Sequence, residues 1–327
     1  MKKKVLISGI TGQDGSYLAE LLISKNYEIH ALLRKIKYAN RFERVKNIKK
    51  KINFHYVSLN KYKEISNLIK KIKPNEIYHF AAQSYINYKF DDEFFRLNPN
   101  INGTHYILSS IKKYSPKTKF YFAASSEMFG NVSSSPQDEN TRFNPRSAYG
   151  ISKVAGYHLT KNYREAHNIF ACSGILYNHE SSRRGINFVT KKIAIGVAKI
   201  KLKIVDKITL GNINSRRDWG SAQDYVYAMW KMLNIKKPED FVIGTGKLHS
   251  VKDFLKIAFN HVNLDYKKHI KIDKKLIRLK DVNILKANST KAKKFLKWKP
   301  KTSFKKLVTT MVDYELKLLK SIKDNNI

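Results

Sequence analysis

The chain has 327 residues, 42% of them hydrophobic, and 64 lysines and arginines against 26 acidic residues, a net charge of +38. That composition supports a full core in one large or two closely packed domains and excludes collagen-like and low-complexity chains. The basic residues are spread over solvated helical stretches such as 61–73 and 191–203. They form no compact basic arm or zinc-finger pattern, so steering of small anions is favoured over a nucleic-acid-binding protein on a dinucleotide fold.

Three lysines open the chain, and the apolar run behind them is short and broken by Gly9, Gly12 and Gly15. It reads as a first strand rather than a secretory leader or a membrane span. Apolar runs at 5–8, 29–33, 54–57, 77–80, 120–124 and 170–176 predict strands, and amphipathic stretches at 16–25, 61–73, 95–113 and 148–166 predict helices between them. The alternation predicts an α/β fold, a Rossmann-type doubly wound parallel sheet with ligands beyond the carboxyl ends of its strands. Residues 1–177 are the predicted dinucleotide-binding domain. Residues 178–327 are predicted mainly as a smaller, interleaved substrate-binding domain, with segments at about 209–240 returning to the sheet. A helix at 224–233 and a strand at 241–244 belong to this half. The single cysteine, Cys172, excludes an internal disulfide and a multi-cysteine metal site and suits a reducing, cytoplasmic setting.

Gly9, Thr11, Gly12, Gln13, Asp14 and Gly15 follow the first strand and open the first helix. Glycines there allow a tight turn and close approach of a pyrophosphate, which the helix N-terminus receives with free amides and a positive dipole end. The second strand ends in Arg34 where an NAD site carries an acid for the ribose hydroxyls. A basic residue, with Lys35 or Arg44 nearby, suits a 2′-phosphate and predicts NADP.

The fifth predicted strand ends in Ser125, Ser126 and Glu127, and Tyr149 and Lys153 lie one helical turn apart further on. Tyr149 is the predicted base for removing a proton from an alcohol as hydride leaves. A free phenol has a pKa of about 10, and an ammonium about 4 Å away is worth about 4 kcal/mol at an effective dielectric of about 20, enough to bring it toward neutrality. Lys153 is placed for that task, and Ser125 for a hydrogen bond to the same hydroxyl. Glu127 adds a second function. Once C4 of a hexose is a ketone its C5 proton is acidic, and a carboxylate can take it and pass a proton to the departing C6 hydroxyl.

The runs Gly9 to Glu20, Ala81 to Ser84, Asn178 to Ser181, Arg183 to Gly185 and Arg217 to Gly220 resemble the extended short-chain dehydrogenase/reductase family and, within it, the GDP-mannose 4,6-dehydratases. The resemblance implies NADP as cofactor, GDP-mannose or a related GDP-sugar as substrate, and a homodimer or homotetramer. It implies catalytic roles for Ser125, where threonine is usual, Glu127, Tyr149 and Lys153, and further cofactor contacts at Ser58, Leu59, Ala81, His179 and Arg184. Sugar-nucleotide contacts fall on Ser84, Glu127, Asn178, Lys192, Leu210, Gly211, Arg217, Arg278 and Asp281. Ser58 stands where an acid is usual, Tyr85 where histidine is, Ser182 where proline is, and Leu279 and Asp281 where proline and glutamate are. These departures permit a modified substrate such as a GDP-manno-heptose or a GDP-N-acetylhexosamine. A sugar-nucleotide 4-epimerase on the same scaffold would have no need of Glu127.

Overall fold

The computed structural model describes residues 2–35, 41–82, 90–132, 134–276 and 284–324, and of 90–96 the backbone only. In chain order the elements are β1 (Lys4–Ser8), α1 (Gln13–Ser24), β2 (Glu28–Leu33), β3 (Ile52–Tyr56), α2 (Tyr62–Ile72), β4 (Glu76–His79), α3 (Phe90–Tyr114), β5 (Lys119–Ser125), α4 (Ala148–His167), β6 (Ala171–Leu176), β7 (Asn178–Glu180), α5 (Val189–Lys201), β8 (Ile208–Leu210), β9 (Arg216–Ser221), α6 (Ala222–Met232), β10 (Phe241–Ile243), β11 (Leu248–Ser250), α7 (Val251–His261), α8 (Tyr266–His269), β12 (Ile270–Ile272), α9 (Thr290–Phe295) and α10 (Phe304–Asp324).

Seven strands form a parallel sheet in the order β10-β6-β5-β4-β1-β2-β3. The chain runs outward from β1 through β2 and β3, then crosses to β4 and runs outward the other way. The reversal between β1 and β4 is where such a sheet leaves a crevice beyond its strand ends. Successive strand residues face opposite sides. Leu6, Leu32, Ile77, Phe120 and Phe122 therefore meet α2, α3 and α4 on one face, while Val5, Ile7, Ala31, Tyr78 and Tyr121 meet α1 and α6 on the other. Burial on both faces explains why these strands read as continuous apolar runs. The predicted α/β fold is the one observed, and the predicted strands and helices differ from it by a few residues at their ends.

After β6 the chain changes layer within two residues. Leu176 ends β6 in the first sheet, and Asn178 begins β7 in a second sheet of order β11-β9-β7. The strands β8 and β12 pair with each other. Helices α5, α7 and α10 close a third core around Phe254, Val308 and Met311, with Leu210 and Trp219 at its edge. Within 209–240 it is α6 that packs on the first sheet, through Val226 and Met229, and β10 follows by pairing with β6. Among the described residues no helix is long and apolar enough to cross a membrane.

The helix α4 lies very close to β5. A β-carbon at Gly156 would stand 2.3 Å from Cζ of the buried Phe122. Gly156→Ala is expected to destabilise the protein by about 1–3 kcal/mol, the usual cost of overpacking a core, read as a lower urea midpoint at unchanged m-value.

Candidate active site

The carboxyl ends of β4, β5 and β6 open into a cavity of about 500 Å³ that also reaches Asp14 of α1, β7, α5 and β9. The strand β5 delivers Ser125 to its rim. The Ser125 hydroxyl accepts from the Glu127 amide at 3.2 Å and caps a short 3-10 turn, Ser126–Met128, which carries Glu127 into the same cavity. Across from it Ser147 caps α4 by accepting from the Gly150 amide at 3.1 Å, so that Tyr149 stands in the first turn and Lys153 one turn on. A β-carbon at Gly150 would lie 2.8 Å from the Glu127 carbonyl oxygen. The β5 end and the start of α4 thus approach backbone to backbone, and Ser125, Glu127, Tyr149 and Lys153 all line one cavity.

The charge arrangement differs from the sequence expectation. Lys153 Nζ donates to the Ala123 carbonyl at 2.6 Å and stands 5.6 Å from the centroid of the Tyr149 ring. Burial pushes Lys153 down to about 8, against the opposing pull of the Asp14 charge. Burial likewise pushes Tyr149 up to about 12; a hydrogen bond with Ser125 and the Arg184 charge work the other way, and the Glu127 charge adds to the rise. Desolvation outweighs the Arg184 charge, and Tyr149 is a neutral phenol. Proximity to an ammonium was the signal in the sequence; the cost of burying both groups was not visible there.

At the foot of the cavity the glycine loop has the shape a dinucleotide requires. Gly9 adopts φ +79°, and a β-carbon there would stand 2.9 Å from the Ala81 amide nitrogen, so β1 and β4 meet backbone to backbone. The helix α1 begins at Gln13 behind Gly12, and no side chain caps its first turn. Uncapped amides at the end of a helix, reached without side-chain obstruction, fit a pyrophosphate. Arg34 is exposed at the end of β2. The Arg44 guanidinium donates to the Arg183 carbonyl at 2.8 Å and to the Thr11 carbonyl at 3.2 Å, so it joins the glycine loop to the segment after β7. Ser58 follows β3 with its amide donating to Glu64, and Leu59 is buried in the core, leaving its backbone as the part near a ligand.

Residues 178–184 close over this loop from the other layer. Gln13 donates to the His179 carbonyl at 3.1 Å and accepts from the Ser181 hydroxyl at 2.8 Å. His179 Nε2 stands 2.9 Å from Asp14 Oδ2. Arg183 donates to Ser16 at 3.1 Å and to Glu20 at 2.5 Å. Glu180 is almost fully buried, accepts from Thr190 at 2.5 Å and pairs with Arg184 Nε at 3.1 Å, while the Arg184 guanidinium stacks on Phe188. Asp14, His179 and Arg184 consequently face the cavity together.

Beyond them the cavity is lined by Asn178, Lys192, Leu210, Gly211 and Arg217, all expected, and by Asn187, Phe188, Thr190, Asn212, Ser215, Trp219 and Leu276, which sequence reasoning missed. Ser84, Tyr85, Arg278, Leu279 and Asp281 lie outside the described residues. Trp219 falls within the matching run Arg217 to Gly220, and most of the others flank expected residues, but no residue type among them signalled a ligand contact; they reach the cavity because α5, β8 and β9 flank its open side.

Comparison with known proteins agrees with this layout. The sequence profile of the family described as GDP-mannose 4,6 dehydratase matches residues 6–311. GDP-mannose 4,6 dehydratase 1 of Arabidopsis thaliana is 44% identical over 98% of this chain and 91% of its own. The human GDP-mannose 4,6 dehydratase is 42% identical over 97% and 92%. Among solved structures, the dTDP-glucose 4,6-dehydratase of Bacillus anthracis, in complex with NAD, superposes with a TM-score of 0.84 over 97% of this chain and 98% of that one at 19% identity, a likeness of fold. The chain belongs to the GDP-mannose 4,6-dehydratase family, a family of hydro-lyases on the extended short-chain dehydrogenase/reductase fold.

Proposed function

We propose that this protein converts GDP-mannose to GDP-4-keto-6-deoxymannose and water with NADP as a bound, recycled cofactor. The observation that carries the reading is the meeting of Ser125, Glu127, Tyr149 and Lys153 with Asn178, Lys192 and Arg217 in one cavity above an uncapped glycine loop. The cations suit a diphosphate, and an arginine can grip its oxygens in bidentate fashion.

A nicotinamide cofactor, held by the glycine loop and the residues around Asp14, His179 and Arg184, would supply the hydride chemistry at C4 and C6. The protein supplies the proton transfers. Tyr149, held by Ser125, takes the C4 hydroxyl proton. Its pKa is raised by burial, and lowering it calls for positive charge beyond what the free protein offers, which the oxidised ring adds. Glu127 takes the C5 proton and delivers a proton to the C6 hydroxyl as water leaves. Once hydride has been restored at C6, C5 gains a proton that balances the one Tyr149 took from the C4 hydroxyl, and the ketone at C4 remains. No net redox occurs.

Support for NADP over NAD is the exposed Arg34 at the end of β2, where the ribose is expected. Arg34→Ala should weaken NADP binding roughly 10- to 100-fold, the range of one charge-assisted hydrogen bond, and leave NAD binding unchanged; equilibrium titration of both dinucleotides reads this directly. Glu127→Gln is expected to cut dehydration at least about 100-fold, the usual weight of a positioned acid–base group, and to stop solvent exchange at C5 while the cofactor stays bound. Unchanged turnover would remove Glu127 from the mechanism. The function as a whole is tested by mass spectra after incubation with a panel of GDP- and UDP-sugars. Loss of one water from GDP-mannose with no net change in NADPH is expected. Reaction only with a GDP-heptose or a GDP-N-acetylhexosamine would replace the substrate and keep the chemistry, and an isomer of unchanged mass would replace the chemistry with epimerisation.

A further inference from the structure

The glycine loop carries a carboxylate. Asp14 stands in the first turn of α1 and lines the cavity, its side chain one-fifth exposed. Amides and dipole at a helix start draw anions in, whereas a fixed negative charge among them repels the pyrophosphate that the loop is shaped to receive. The partner of that charge comes from 165 residues away. His179 Nε2 lies 2.9 Å from Asp14 Oδ2, and His179 Nδ1 lies 2.7 Å from the Tyr177 carbonyl oxygen. A carbonyl and an ionised carboxylate both accept only. A neutral imidazole has one N–H and satisfies one of them, so the arrangement is complete only when the pair holds a further proton.

The surroundings support the charged form. Burial opposes charge on His179, but attraction and hydrogen bonding to Asp14 hold its pKa above the ordinary histidine value. Asp14 is held below the ordinary carboxylate value: burial works against this, and the charge and hydrogen bond of His179, a hydrogen bond from Gln13 and the Arg184 charge together outweigh it. Arg184 faces the pair from the loop after β7, favouring ionised Asp14 and opposing His179; Lys153 on α4 also lies within the field of Asp14. Tyr225 of α6 stacks on the imidazole with ring centroids 4.8 Å apart, and the phenols of Tyr121 and Tyr149 are neutral. Glu180, on the same strand as His179, is bound to Thr190 and Arg184.

We propose that the His179 imidazolium is a positioning group for cofactor binding, cancelling the Asp14 charge so that the loop accepts a dinucleotide together with one proton. The inference rests on reading the cavity as a dinucleotide site. The sign follows from the geometry: the imidazolium is present below the raised histidine pKa and is lost as pH rises through it. Binding is therefore strong on the acid side and weakens on the alkaline side, tenfold per pH unit for one linked proton. The pair titrates as a unit.

The test is equilibrium binding of NADPH, followed by its fluorescence at constant ionic strength, from about pH 7 upward, where a phosphate with second pKa near 6 is already ionised. Wild-type affinity is expected to fall at least tenfold by about pH 10. His179→Gln should bind at least about tenfold more weakly at neutral pH, because Asp14 stays ionised and uncompensated, and should lose the pair's share of the pH dependence, keeping only that of Lys153, which burial holds at about 8. Adding Asp14→Asn to that variant should restore affinity at neutral pH to within about threefold of wild type, with the same residual profile. A pair that merely staples two segments predicts the opposite, a double variant no tighter than the single one. That result, or a flat wild-type profile, overturns the proposal while the cofactor reading stands. Absence of NADPH binding by the wild type at every pH overturns the cofactor reading and the proposal with it.

Discussion

The packing of α4 on the end of β5 holds the reaction centre together. Ser125 and Glu127 come from the strand side, Tyr149 and Lys153 from the helix side, and no bond in the sequence relates them. Their separation is set by a helix start that touches the Glu127 backbone, a serine cap at Ser147, and a core contact at Phe122 that excludes even a methyl group. Lys153 completes the joint by donating to the Ala123 carbonyl of β5. Rigid elements fix such a constellation far better than loops do, and here both catalytic segments begin or end regular structure.

A second joint ties the glycine loop and α1 to residues 178–184 of the other layer. The side chains of Gln13, Asp14 and Ser16 on one side and of Ser181, His179 and Arg183 on the other carry it. The protein has a large positive charge, yet its cavity mixes Asp14, Glu127 and Glu180 with Lys153, Arg184, Lys192 and Arg217. Local pairing decides the chemistry there. The global charge draws anions toward the surface, in a manner that salt screens.

Much of this was legible in the sequence. Strands buried on both faces announce themselves as apolar runs, the glycine loop sits between a strand and a helix, and Tyr149 and Lys153 share a helix face because of helical periodicity alone. Residues whose meaning depends on a distant partner were not legible. Asp14 reads as part of a loop motif and His179 as part of another, and nothing in either segment says that their side chains meet. Arg44 reads only as a basic residue near Arg34, and its hydrogen bonds to the Thr11 and Arg183 carbonyls, from segments far away in the chain, were not legible. The burial of Tyr149 and Lys153 was not legible for a related reason: spacing gives proximity, but desolvation of both groups is set only by the packed fold.

The central claim is that one hydrogen leaves C4 and returns to the same sugar at C6, with Glu127 moving a proton between the two events. GDP-mannose deuterated at C4 tests it most directly. The account predicts a product lighter by one water that keeps the deuterium, now on C6, with no labelled NADPH released. Deuterium lost to solvent, deuterium found on free NADPH, or a product of unchanged mass would contradict it.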